Sequence, residues 1–198
     1  MGETLDYIVD KYGLELNKNK WTNIPGVDRI DLAKLFAELG FSHGAEIGVE
    51  KGSNAIVLCH NIPNLKLYCV DPWRLYRGGG RLQANYIQQR YLTNLKQTLA
   101  DFDVIFIEKL SMESVSDIPE NYLDFVSIDA NHRFDYVMRD IIEWSKRVRP
   151  GGIISGHDYC PATPGVMTAV DAYIEAHNIV NHFVIMPETW PSYFWVKQ

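Results

Sequence analysis

Short apolar runs alternate with longer amphipathic stretches along most of this chain, and this alternation limits the possible fold more than any other feature. Strand character is found in five successive runs, at 45–49, 65–70, 104–107, 125–128 and 153–155. Helical spacing fills the intervals at 54–60, 82–99 and 135–148. Parallel strands joined by right-handed helical crossovers account for this order. We therefore predict an α/β fold, with a mainly parallel sheet and helices on both faces.

Further elements are predicted on either side of this core. The stretch 31–40 has apolar residues at helical spacing and ends at Gly40, as a helix with a glycine cap would. A second helix is predicted over 166–174, after Thr163 and Pro164 as cap and first-turn residues. Two short apolar runs, 183–186 and 193–196, lie too close together for a helical crossover. We expect them to pair as an antiparallel hairpin at the end of the sheet.

Composition sets the class of protein. The 198 residues show neither an internal repeat nor a linker, so we expect one domain over 1–198, with 1–27 as a peripheral N-terminal extension. No apolar run approaches a membrane span, and the first twenty residues do not resemble a secretory signal. Three cysteines without C-x-x-C spacing favour reduced thiols and a cytoplasmic location. A net charge of −6 argues against nucleic-acid binding, so a small-molecule partner is expected. A homo-oligomer is possible.

Two glycines mark the turn from the first predicted strand into a helix. Gly48 and Gly52 let the backbone approach a ligand closely and expose the first N–H groups of the helix. Asp71 ends the next predicted strand, where an acid accepts hydrogen bonds from ribose hydroxyls. Glu46 is an acid inside an apolar strand, and Glu50 breaks the G-x-G-x-x-G pattern of dinucleotide folds. The loop therefore indicates a nucleoside site of another kind.

These residues, with R-P-G-G before the fifth predicted strand, resemble class I S-adenosylmethionine-dependent methyltransferases from about residue 41 to the C-terminus. The resemblance implies a Rossmann-like, doubly wound sheet of seven strands with the last one antiparallel. It also implies cofactor-binding roles for six residues: Glu46, Gly48 and Gly52 at the methionine part, Asp71 at the ribose, and Ser111 and Met112 at the adenine. Many members have a further glycine in place of Glu50, so we assign that residue no cofactor contact.

Acid and histidine pairs follow two further predicted strands. Asp129 ends the fourth and is followed by His132, while the fifth ends in G-H-D-Y with His157 and Asp158. A strand-end acid alone is usually a turn or cap residue, and a lone histidine is usually structural. In the strand order that the resemblance implies, however, both pairs lie at one edge beside the cofactor. Two carboxylates in one cleft repel each other unless a cation or proton lies between them, so we predict a divalent metal, Mg²⁺ or Mn²⁺.

The same two motifs resemble the metal-dependent sugar and natural-product O-methyltransferases, a group like methyltransferase family 24. By this resemblance Asp129 and Asp158 are metal ligands, and His132, with Asp129, is catalytic as the general base. His157 is a further candidate ligand at a position where related sites often carry an acid. An imidazole there favours Mn²⁺ over Mg²⁺, or holds the substrate or a water on the metal.

The predicted activity is methyl transfer from S-adenosylmethionine to a small-molecule acceptor, most simply an oxygen of a sugar or natural-product hydroxyl. One alternative is a metal-dependent hydroxylase, or another cofactor-binding protein of the same fold that transfers no methyl group. A nicotinamide oxidoreductase is disfavoured by Glu50.

Three other features can be explained by structure alone as well as by function. The stretch 72–81 predicts either a lid or a solvated loop, and its Arg74, Arg77 and Arg81 could mark an anionic substrate. Three aromatic residues near the hairpin are expected to pack in the core and at the sheet edge rather than to form a substrate wall: Trp190, Tyr193 and Trp195. The remaining histidines are taken as structural: His43, His60, His177 and His182.

Overall fold

A computed structural model describes residues 2–16, 20–76, 84–186 and 190–198 of the chain. Within these ranges eight strands form one sheet, and seven α-helices surround it. The strands are β1 (Lys20–Ile24), β2 (His43–Ile47), β3 (Lys66–Val70), β4 (Asp103–Ile107), β5 (Leu123–Ile128), β6 (Val148–Gly156), β7 (Asn181–Ile185) and β8 (Ser192–Val196). The helices are α1 (Glu3–Tyr12), α2 (Arg29–Glu38), α3 (Ser53–Asn61), α4 (Asn85–Thr98), α5 (Ser111–Ser114), α6 (Phe134–Arg147) and α7 (Pro164–Ala176).

The strand order across the sheet is β1-β7-β8-β6-β5-β2-β3-β4. Strand β8 runs antiparallel to both of its neighbours, β6 and β7, and the other pairs are parallel. The predicted mostly parallel, doubly wound α/β sheet is confirmed. Strand order reverses between the adjacent strands β2 and β5, which is where ligands bind in open α/β sheets.

The predicted number of strands and the place of the hairpin need correction. Lys20–Ile24 adds an eighth strand by pairing in parallel with β7. The last strand of the chain lies inside the sheet between β6 and β7, and β1 rather than the hairpin forms this edge. Residues 1–27 thus contribute an edge strand and, through Leu5 and Ile8 of α1, part of the core.

Apolar residues pack in two layers, one on each face of the sheet. One layer joins α1 to α4 and contains the stacked rings of Phe36 and Phe125, whose centroids are 4.5 Å apart. The other joins α6 and α7 around Trp144, which is fully buried. Burial of this apolar surface is the main favourable term in the free energy of folding.

The predicted glycine end of α2 is confirmed, whereas Thr163 precedes Pro164 at the start of α7 without a side-chain cap hydrogen bond. Asp28 caps α2, since its carboxylate accepts hydrogen bonds from the N–H groups of Ile30 and Asp31 at 2.8 and 2.9 Å. Gly40 ends the same helix with a φ of +70°. Tyr193 and Trp195 are buried as predicted, while Trp190 is exposed.

The three cysteines are free, as expected, and Cys59 and Cys69 are buried. No helix in the described part of the chain is long and apolar enough to cross a membrane.

Candidate active site

Polar residues collect at the C-terminal edge of the neighbouring strands β3, β2, β5 and β6. The glycine loop follows β2, Asp71 follows β3, Asp129 follows β5, and the His157–Asp158 pair follows β6. The fold therefore brings both halves of the predicted site to one edge of the sheet. A small, open cleft lies here, and its lining includes Arg29, Asn54, Ser127, Asp129 and His157.

Gly48 brings the glycine loop into direct contact with the end of β5. It has a φ of +88°, and a Cβ at this position would lie 2.1 Å from the backbone oxygen of Asp129. Gly52 has a φ of +80°, and a Cβ there would lie 2.2 Å from Leu95. Only glycine fits such positions without displacing its neighbours. The loop is therefore fixed directly beside the ionisable residues that follow β5.

Glu50 keeps the backbone shape that a glycine would adopt. Its φ is +47°, in the left-handed region where non-glycine residues are uncommon. Its N–H donates to Asp71 Oδ2 at 3.0 Å, and its carbonyl accepts a hydrogen bond from Trp73 Nε1 at 2.9 Å. These two bonds hold the strained residue in place, so the left-handed turn forms here without a glycine.

Asp71 anchors the glycine loop, a role that the sequence did not predict. Its Oδ2 accepts hydrogen bonds from the N–H groups of Val49 and Glu50 at 3.1 and 3.0 Å, and its Oδ1 accepts one from Trp73 N–H at 2.7 Å. Burial raises the pKa of Asp71, although the three backbone hydrogen bonds favour the ionised form. Since Oδ1 accepts a single hydrogen bond here, it retains capacity for another donor, such as a ribose hydroxyl.

Glu46 is a buried acid with an unsatisfied oxygen. The residue is 3% exposed, and its Oε2 has no hydrogen-bond partner among the described residues. Burial raises the pKa of Glu46 well above its usual range, and the charge of Asp129 adds to this, while a hydrogen bond with the Asn54 side chain opposes it. A buried carboxyl oxygen without a hydrogen-bond partner lowers the stability of the fold. This oxygen is therefore suited to a ligand that donates hydrogen bonds and carries positive charge.

Asp129, His132, His157 and Asp158 form one cluster, which we call the acid–histidine cluster. His132 Nε2 lies 3.3 Å from Asp129 Oδ1 and 3.1 Å from Asp158 Oδ2. His157 Nδ1 lies 2.8 Å from Asp158 Oδ1 and 3.7 Å from Asp129 Oδ2. Two sequence motifs that are 25 residues apart are thus brought into contact, as predicted.

The charges in the acid–histidine cluster support one another. The hydrogen bond to Asp129 raises the pKa of His132, and the charge of Asp158 raises it further against the effect of burial. Burial would lower the pKa of His157, but its hydrogen bond to Asp158 and the nearby carboxylates outweigh it and raise the pKa. Burial also acts to raise the pKa of Asp158, but the two histidines outweigh it and lower the pKa. The cluster therefore combines two carboxylates with two imidazoles whose protonated forms the carboxylates favour.

A divalent cation could take the place of those protons. One ligand atom from each of Asp129, His132 and Asp158 lies within 4.8 Å of the other two. Two of these residues are predicted ligands, while the third, His132, is the residue predicted as the base. His157, the other predicted ligand, instead forms the close contact with Asp158. Its role at the metal stays a prediction, as do the other assigned site roles.

The predicted adenine residues lie at the start of α5. The Ser111 hydroxyl donates a hydrogen bond to the Asp140 carboxylate and accepts one from Trp144 Nε1 at 2.8 Å. Met112 is half-buried against the core layer around Trp144. Asp140 is 4% exposed, and burial raises its pKa to about 6. This network, which the sequence did not reveal, fixes the turn that follows β4.

The proposed lid is only partly within the described residues. Trp73 is fully buried, and Arg74 Nη2 lies 3.9 Å from Glu113 in an exposed ion pair. Tyr76 is half-buried and makes a hydrogen bond with the Asn131 side chain beside the acid–histidine cluster. Arg77 and Arg81 lie outside the described residues.

Comparison with known proteins agrees with the fold and the motifs. The sequence profile of the family described as "Methyltransferase domain" matches residues 45–159, which is more than half of the chain. The chain belongs to this methyltransferase family, and as a class I member it is an S-adenosylmethionine-dependent methyltransferase. No curated protein matches the sequence.

Solved structures of similar fold include two proteins named as O-methyltransferases and one described as cofactor-bound. The O-methyltransferase NovP has a TM-score of 0.65 at 16% identity, covering 86% of this chain and 79% of its own. An O-methyltransferase from Bacillus cereus, solved in complex with S-adenosylhomocysteine (SAH), has a TM-score of 0.65 at 15% identity, covering 100% and 92%. The cofactor-bound protein Rv0187 from MTB has a TM-score of 0.67 at 14% identity, covering 100% and 91%. At sequence identities this low, the similarity to these structures shows a shared fold and nothing more specific.

Proposed function

We propose that the protein transfers the methyl group of S-adenosylmethionine to an oxygen of a small-molecule acceptor, and that a divalent cation in the acid–histidine cluster assists. One observation carries this proposal. Gly48 of the cofactor loop packs against the backbone of Asp129, so a methyl-donor site and a set of metal-type ligands share one edge of the sheet. That similar folds include proteins named as O-methyltransferases supports oxygen as the acceptor atom.

The residues on the cofactor side fit a molecule with a cationic amino group and a ribose. The unpaired Oε2 of Glu46 is suited to the ammonium, and Oδ1 of Asp71 to a ribose hydroxyl. Ser111 and Met112 lie after β4, on the far side of β3, and are proposed for the adenine. When bound, the cofactor supplies an electrophilic methyl group, whose bond to sulfur breaks as a bond to the acceptor oxygen forms.

The residues on the acceptor side fit a hard cation. Carboxylate oxygens suit Mg²⁺, and the imidazole of His132 makes Mn²⁺ a good alternative. Such a cation supplies Lewis acidity, which lowers the pKa of an acceptor hydroxyl. A sugar or natural-product hydroxyl is the acceptor class that we favour, in a cytoplasmic enzyme without nucleic-acid or membrane partners.

The role of His132 depends on the charge around it. Between two carboxylates its pKa is raised, which favours the imidazolium, and an imidazolium cannot accept the acceptor's proton. A cation bound to the two carboxylates would offset their charge and favour the neutral imidazole, which can act as base or as ligand. Loss of turnover in His132→Ala with unchanged SAH affinity is expected in either case. Cation binding separates the two, since only a ligand role predicts that the variant loses cation affinity.

The metal can be tested without an acceptor. Free Mn²⁺ gives an electron paramagnetic resonance signal that is lost on binding, so titration measures affinity directly. We expect Asp158→Asn to weaken Mn²⁺ binding at least ~10-fold. Loss of a residue that hydrogen-bonds to a metal ligand already lowers metal affinity by this factor, and loss of a ligand itself should lower it at least as much. Asp101→Asn changes an exposed acid far from the cluster and serves as the matched control. Equal Mn²⁺ affinity in the two variants would remove Asp158 from the ligand set.

The transfer itself is tested with S-adenosylmethionine and a panel of hydroxylated small molecules. Product mass should rise by one methylene in step with SAH release, and the O-methyl group should be visible by nuclear magnetic resonance. Methylation at nitrogen or carbon would contradict the acceptor assignment, and full activity in excess EDTA would contradict the metal. Turnover that required iron and oxygen and released no SAH would instead favour the hydroxylase alternative.

A further inference from the structure

Arg29 enters the active-site cleft from outside the segment that matches the methyltransferase family. It is the first residue of α2, and the family match begins at residue 45. The capping box of Asp28 and Asp31 fixes this end of the helix. From here Arg29 lines the cleft together with Asn54, Ser127 and Asp129. It is the one lysine or arginine among the described residues that line this cleft.

The charge of Arg29 acts on both halves of the site. It favours ionisation of Glu46 on the cofactor side and of Asp158 in the acid–histidine cluster. It also opposes the protonation of His157. Arg29 therefore lies at the boundary between the proposed ammonium site and the cluster.

We propose that Arg29 binds the carboxylate of the cofactor's methionine moiety. This inference rests on the proposed function, which assigns the ammonium to Glu46. In an α-amino acid the ammonium and carboxylate are attached to the same carbon, so the carboxylate must lie close to Glu46. An anion in this position would be repelled by Glu46 and Asp129 unless a cation offsets them. Arg29 provides that cation, and its planar guanidinium matches a carboxylate with two parallel hydrogen bonds.

The competing explanation is that Arg29 only offsets the negative charge of the surrounding acids. In that case its removal should weaken all ligands of the site alike, whether or not they carry a carboxylate. The two explanations can be separated by removing the carboxylate from the ligand and the guanidinium from the protein in a double cycle.

Calorimetric titration of the full chain provides this cycle. The ligands are SAH and its decarboxylated analogue, in which hydrogen replaces the carboxylate. The proteins are wild type, Arg29→Gln and Arg29→Lys, with Lys34→Gln as a control on the exposed face of the same helix. We expect wild type to bind the analogue about 10- to 100-fold more weakly than SAH, in line with hydrogen bonds between charged groups.

Arg29→Gln should bind SAH about 10- to 100-fold more weakly than wild type, yet bind the analogue as wild type does. Arg29→Lys keeps the charge but not the paired geometry and should fall between them. Equal weakening of both ligands, or unchanged SAH affinity in Arg29→Gln, would overturn the inference while leaving the proposed function intact. Failure of wild type to bind SAH at all would instead remove the proposed function and this inference with it. Far-ultraviolet circular dichroism of each variant shows whether it is folded. If Arg29→Gln is unfolded, the affinities of Arg29→Lys for the two ligands provide the test instead.

Discussion

Replacing Gly48 with alanine tests the contact that joins the cofactor loop to the acid–histidine cluster. The added Cβ would lie 2.1 Å from Asp129 O and 2.5 Å from Ala130 Cα, where ordinary contacts begin at 3.4 Å. Both neighbours are backbone atoms, so the loop and the end of β5 would have to move apart by more than 1 Å. The φ of +88° adds backbone strain for any residue with a Cβ.

The expected cost has two parts. Left-handed backbone costs a residue other than glycine about 1–2 kcal/mol. Overpacking at a close contact costs a further ~1–3 kcal/mol. Gly40 separates the two, because it has a φ of +70° but nothing within 4 Å of a built Cβ. Gly40→Ala should therefore show the strain alone, while Gly48→Ala should lose roughly 2–5 kcal/mol of unfolding free energy.

Urea denaturation of both variants, followed by SAH titration of the folded proteins, provides the assay. Gly48→Ala should also weaken SAH binding, since the loop cannot keep its place, whereas Gly40→Ala should bind SAH as wild type does. Equal unfolding free energies for the two variants would show that the close approach of Gly48 to Asp129 is absent. The proposed methyl-donor and metal sites would then lack the backbone contact that joins them.

Two further predictions follow from buried carboxyl groups. The pKa of Asp140 rises from its ordinary value of 3.8 to about 6, so the folded state retains a proton between these values and loses stability as pH rises. Between pH 4 and pH 7, the unfolding free energy of Asp140→Asn should therefore rise relative to that of wild type by up to about 3 kcal/mol. Urea denaturation at each pH measures this difference, and a difference that does not change with pH would contradict the prediction. The raised pKa of Glu46 predicts that SAH binding releases a proton from this carboxyl as the ammonium pairs with it. Calorimetry in buffers of different ionisation enthalpy should detect this proton in wild type and not in Glu46→Gln, and equal release from both would exclude Glu46 as its source.

The parallel core of the fold was predictable because each strand is a local apolar run. The run 125–128, for example, fits the inner strand β5, whose side chains are largely buried. Strand β1 was not predictable, because only Thr22 and Ile24 of its five residues are buried and its partner β7 is more than 150 residues away. Its pairing also moved the hairpin from the sheet edge to the interior.

The placement of Asp71, Asp129 and Asp158 at one edge of the sheet was predictable, because each is an acid at the end of a predicted strand. What the sequence could not show is how the side chains divide these roles. Asp158 has a φ of +62°, and this left-handed turn brings its carboxylate within reach of both histidines. Arg29 precedes every recognisable motif, and the packing of α2 alone brings it to the cleft.

A crystal structure of the protein with bound SAH would show directly whether the cofactor occupies the proposed site. We predict that the ammonium lies against Glu46, that a ribose hydroxyl lies against Asp71, and that the sulfur faces the acid–histidine cluster. SAH bound away from the C-terminal edge of β2 and β3, or with its sulfur turned away from Asp129 and Asp158, would contradict the proposed site and the transfer that it is built to perform.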